Sequence, residues 1–154
     1  MNKVIRQHHD SDDIQKLFID TDLHLWSEET AIISNEVKLF WGLLSARLIE
    51  LSKERYVSFS ELFDEVEYFA NANIDFIEKL AAYKLQLEGL KECEDLQCET
   101  HFLNGHSTFR QNIQQYLARY RQLKNALFDA LGIGKQDQLT ASIQSNWELH
   151  HCSF

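Results

Sequence analysis

Residues 59–90, FSELFDEVEYFANANIDFIEKLAAYKLQLEGL, carry Phe59, Leu62, Val66, Phe69, Asn73, Phe76, Leu80, Tyr83, Leu87 and Leu90 at alternating three- and four-residue intervals. That spacing lines one face of a helix, and a run of this length is an unbroken coiled-coil seam. Such a seam is stable only when it is covered, so the rest of the chain must supply helices that pack on it.

Two further stretches repeat the pattern. Upstream, Leu23, Trp26, Thr30, Ile33, Val37, Phe40, Leu44, Arg47 and Leu51 form a first seam, widened by Trp41 and Leu48 as expected of a helix with two neighbours. Downstream, Phe102, His106, Phe109, Ile113, Tyr116, Tyr120, Leu123, Leu127 and Ala130 form a third, with Leu117, Phe128 and Leu131 beside it. The third seam keeps phase across Asn104-Gly105, which predicts a continuous or kinked helix there, and Gly132 and Gly134 supply its stop. The fold class read from these seams is all-α: an antiparallel three-helix bundle in a single domain, residues 1–154. Residues 1–20 read as a flexible or loosely docked arm. Residues 135–154, where Leu139, Ile143 and Trp147 share a helical face, read as a short closing helix and tail.

The connections set an expected register. Ser52–Val57 would end the first helix, with Ser58 and Glu61 forming a capping box for the second. With turns centred near residues 57 and 96, Trp26 falls level with Leu87 and His106, and Phe40 with Asn73 and Tyr120. Asn73 then finds a hydrogen-bonding partner in Tyr120, a buried polar pair that fixes register. Between Glu61 and Glu88 acids outnumber bases, whereas residues 100–128 hold Arg110, Arg119, Arg121 and Lys124 without an acid, so helices two and three should attract along their flanks.

Composition narrows the function classes. The 154 residues contain no proline and are 44% apolar, which suits one domain of long helices. A formal charge of −9 repels phosphate backbones, so no nucleic-acid partner is expected. No apolar run is long enough to span a bilayer, and MNKVIRQHHDSDD lacks the apolar centre of a signal peptide, which predicts a cytoplasmic protein with no membrane partner. Three cysteines, Cys93, Cys98 and Cys152, read as free thiols in a reducing compartment.

Chemistry-bearing residues are few. His106 sits on a core position and reads as a hydrogen-bonded core histidine, with metal ligation the alternative. Glu148-Leu149-His150-His151 contains one Glu-x-x-His pair, of which carboxylate-bridged di-iron bundles need two, so Glu148, His151 and His106 are the candidate metal ligands. No serine stands in a glycine-flanked elbow, and Gly132-Ile133-Gly134-Lys135 lacks the spacing of a phosphate loop. No catalytic set and no cofactor are expected.

Trp26-Ser27-Glu28-Glu29, Glu36-Val37-Lys38-Leu39-Phe40, His106 and Leu123-Lys124-Asn125-Ala126-Leu127-Phe128 together resemble a family of small helical proteins of the Bacteroidota type, over about residues 23–131. The resemblance implies a three-helix coiled-coil-like fold and brings no activity with it. The function expected is therefore non-enzymatic: a bundle acting through protein contacts, as a homodimer or an adaptor, with Tyr68, Leu85 and Leu103 as an off-seam patch for a second copy. The alternative is a metal-binding bundle.

Overall fold

The computed structural model describes the backbone of residues 2–51 and 53–133 and the side chains of residues 16–51, 53 and 55–133. Three long helices, α1 (Asn2–Leu48), α2 (Lys53–Leu87) and α3 (Leu96–Leu131), form an antiparallel bundle in which α1 and α3 run parallel. A single 3-10 turn, Glu88–Glu92, carries α2 toward α3, and no strand occurs among the described residues. The segment read as an arm is helical from Asn2, and by Ile19 it is buried against Leu87 and Leu90. The closing helix expected within residues 135–154 lies outside the described residues.

The third helix begins earlier than its seam. Asp95 is its N-cap, with extended backbone and a carboxylate that accepts from the Cys98 amide at 2.8 Å, satisfying one of the amides a helix start leaves open. Gly132 ends it in the left-handed region at φ 73°, its amide bonding to Phe128 O, a conformation that costs other residues dearly. Between these points the helix passes through Asn104-Gly105 without a break, as the seam predicts.

The first turn is not where the capping box placed it. Ser58 and Glu61 lie inside α2, and α1 gives way to a turn at residues 49–50, where Glu50 N bonds back to Arg47 O at 3.0 Å. Moving the turn slides α2 along α1 by about two helical turns. Trp26 therefore packs with Leu80 and Ile113 instead of Leu87, and Asn73 meets Thr30 and Ser34 instead of Phe40. The seams still close on one another. Leu44, Val66, Ile113 and Leu127 are fully buried, and the largest cluster joins Phe40, Leu44, Val66, Phe69, Tyr120 and Leu127 across all three helices.

The second turn holds a correction of a different kind. Cys93 and Cys98 are joined in a disulfide, with Cα atoms 5.6 Å apart, so they are not free thiols. The 3-10 turn and the Asp95 cap fold the intervening four residues back, which brings the two side chains together; counting residues in a gap does not reveal that. The cysteine-based argument for a reducing compartment falls with it. At Gly89 a Cβ would stand 3.0 Å from Cζ of Phe102, so a larger residue in this turn would require that ring to give by a few tenths of an ångström.

Charge pairing also differs from the expectation. Two cations of α3 bind carboxylates of α1 instead of α2: Arg110 binds Asp22, and Lys124 binds Glu36 at 2.6 Å. Each of these cations stands four residues after a polar seam residue, His106 or Tyr120, on the side of α3 that faces α1. Arg119 does turn toward α2, where its guanidinium lies 5.7 Å from the Tyr68 ring centre.

Candidate functional site

The polar residues that the sequence singles out are all in the core: Asn73, His106 and Tyr120 are 1%, 3% and 5% exposed. Each is the centre of its own layer, and the layers can be built from the residues upward.

His106 is held from every side. Its Nε2 donates to Asp22 Oδ2 at 2.8 Å, and in that tautomer Nδ1 accepts from the Tyr83 hydroxyl at 2.9 Å. The imidazole stacks with Trp26, ring centres 5.1 Å apart, and lies close to parallel with the Tyr83 ring, 5.9 Å away. Arg110 closes the network, its Nε donating to the same Asp22 oxygen at 3.0 Å. Burial alone would raise the Asp22 carboxyl, but the hydrogen bonds from His106 and Arg110 and the charge of Arg110 together outweigh it and hold the group below its ordinary 3.8. Burial pushes the Tyr83 phenol the other way, up to about 12.

The layer of Glu36 repeats this arrangement two heptads on. Tyr120 Oη donates to Glu36 Oε2 and Lys124 Nζ to Oε1, each at 2.6 Å. Asp22, His106 and Arg110 thus correspond to Glu36, Tyr120 and Lys124, every member displaced by fourteen residues. A carboxylate on α1 in each case anchors a polar ring on the α3 seam and the cation one turn beyond. Neither Asp22 nor Glu36 is a seam position, so the seam pattern passes over both. The available signal is that each immediately precedes a seam residue, Leu23 or Val37, level with a polar interruption of the third seam.

Between these layers lies Asn73. Its Nδ2 donates to Thr30 O and to Ser34 Oγ, both at 2.8 Å, and its Oδ1 accepts from Tyr116 Oη at 2.8 Å. The expected partner Tyr120 is one turn too far along α3 and is already engaged by Glu36. No buried side-chain nitrogen or oxygen among the described residues lacks a partner.

This arrangement has little to offer a substrate. Asp22, His106 and Tyr83 resemble in outline a carboxylate–imidazole–hydroxyl series, but such a series works when the hydroxyl is activated and can reach a reacting atom. Here the phenol is made harder to ionise, and aromatic rings cover the imidazole. Among the described residues no three His, Cys, Asp or Glu side chains converge to hold a metal ion. Glu148 and His151 lie outside the described residues, while the third metal candidate, His106, is occupied as above. The chain matches no family model, no curated protein and no solved structure.

The surface differs from the core. Of the off-seam patch expected for a second copy, Tyr68 and Leu85 are exposed, whereas Leu103 packs beside Leu87 and Leu90. Leu85 belongs instead to a row on α2 with Ile74, Ile77 and Ala81, spaced three, four and four residues apart. Ile74 and Leu85 are 56% and 70% exposed. No helix among the described residues is long and apolar enough to cross a membrane.

Proposed function

We propose that this protein is a non-enzymatic helical bundle that acts through protein contacts, and that the contact is self-association through the outer row of α2. The observation that carries the reading is the row Ile74, Ile77, Ala81 and Leu85. It has the spacing of the internal seams and points outward, whereas the polar side chains of the core are engaged with one another.

A second copy suits the row on grounds of shape. Two such rows related by a two-fold axis perpendicular to the helix run antiparallel and set Ile74 of each copy level with Leu85 of the other, so that the apolar side chains meet along the whole row.

Substitution separates the contact from the fold. Ile74→Glu with Leu85→Glu changes two exposed positions, so helicity by circular dichroism should be retained while association is lost. Association that is indifferent to both glutamates would place the contact elsewhere and remove this reading.

A further inference from the structure

The contact between Tyr83 and His106 has a chemical property that packing alone does not require. The chain has five tyrosines. Tyr56 and Tyr68 are exposed, while the Tyr116 hydroxyl donates to the Asn73 amide and the Tyr120 hydroxyl to the Glu36 carboxylate. Tyr83 alone donates to an imidazole, at 2.9 Å from His106 Nδ1. An imidazole is a stronger base than a carboxylate by about two pKa units. The separation is one across which a proton transfers directly.

Loss of the proton by itself is unfavourable here, since burial pushes the phenol up to about 12. Loss of an electron is different. A phenol that has lost an electron is a strong acid, so its proton passes to Nδ1 in the same event. The imidazolium that results stands beside Asp22, 2.8 Å from Nε2. Arg110 donates to the same carboxylate at 3.0 Å and favours its ionised form, so the proton stops at the imidazole. The neighbouring rings supply a route for the electron. Trp26 stacks on His106 and packs on Phe109 at 5.3 Å, and Phe109 lies parallel to Tyr83 at 4.4 Å.

We propose that Tyr83 is a redox-active tyrosine, oxidised by one electron to a neutral tyrosyl radical while its phenolic proton moves to Nδ1 of His106. The O–H bond of Tyr83 breaks and an N–H bond forms on His106. The electron leaves to a one-electron oxidant at the protein surface, directly or by way of Trp26. An external one-electron donor such as a thiolate reverses the step, and the proton returns from Nδ1 to the phenol oxygen. No open cavity is needed, which suits a layer covered by aromatic side chains. The inference is independent of self-association through α2.

Flash oxidation of the full chain tests it, with photogenerated ruthenium(III) tris-bipyridine as the oxidant. In a Tyr56→Phe, Tyr68→Phe background, which removes the two exposed phenols, electron paramagnetic resonance should show a tyrosyl radical. Tyr83→Phe should remove that signal, and deuterated water should slow its formation. His106→Gln keeps an acceptor for the phenol without a base, so the radical should form more slowly and in lower yield. Absence of a tyrosyl radical in the background protein, a signal that survives Tyr83→Phe, or a rate unchanged by His106→Gln would each overturn the proposal. Should the His106 variant lose its helicity, the background protein carrying isotopically labelled histidine replaces it. Double-resonance spectra of the radical should then show coupling to a labelled imidazole nitrogen, and no such coupling would refute the transfer to His106.

Discussion

The Tyr116 hydroxyl donates to Oδ1 of Asn73 across 2.8 Å, linking α3 to α2 at the level where Asn73 also holds the Thr30 carbonyl and the Ser34 hydroxyl of α1. One amide thus joins all three helices. A shift of any helix by a turn leaves buried polar atoms without partners, and that penalty fixes the register more firmly than the interchangeable apolar layers around it.

Tyr116→Phe should therefore destabilise the protein by about 1 to 3 kcal/mol, since it strands a buried amide oxygen. Asn73→Leu in the same chain should return part of the loss. A double-mutant cycle by chemical denaturation should give a coupling above about 0.5 kcal/mol for Asn73 with Tyr116 and less for Asn73 with Tyr120. The reverse order would contradict the observed register.

The acid response should report on Asp22. Its folded-state pKa lies below the ordinary 3.8, so the folded protein holds fewer protons on this group. Its contribution to stability is complete above 3.8 and is lost as pH falls through the lower folded value. Asp22→Asn should cost about 1.5 to 3 kcal/mol at neutral pH, the scale of charge-assisted hydrogen bonds, and should flatten the loss of stability in acid. Denaturation midpoints measured from neutral pH down to acid check both parts; parallel curves for the two proteins would exclude the linkage.

Reduction should loosen the turn between α2 and α3. Closing so short a loop contributes about 2 kcal/mol by the chain-entropy relation, and Asp95 still caps α3 after the bond is cut. Cys93 and Cys98 should resist alkylation until a reductant is added, after which the melting temperature should fall with helicity intact. Rapid alkylation of both thiols in the unreduced protein would show that the bond is not formed.

How much of this was legible in the sequence depended on which physical rule governed each element. Heptad spacing marked the three helices and nearly all of their buried faces, because burial of one helical face requires that period. It also carried α3 correctly through Gly105. The first turn was misplaced because Ser58 and Glu61 have the right residue types for a capping box, and only tertiary packing decides whether such a pair starts a helix or sits within one. That single displacement moved Asn73 away from its expected layer. Asp22 and Glu36 were passed over because a carboxylate beside a seam looks like any solvated residue until the opposite helix supplies a polar ring and a cation. The Cys93–Cys98 bond depends on a local reversal that spacing does not encode.

Sedimentation equilibrium across micromolar concentrations tests the proposed function most directly. The chain has a mass of 18.1 kDa, and the expected result is a species of twice that mass, reduced to the chain mass by Ile74→Glu with Leu85→Glu. A single-chain mass at every concentration would contradict self-association through α2.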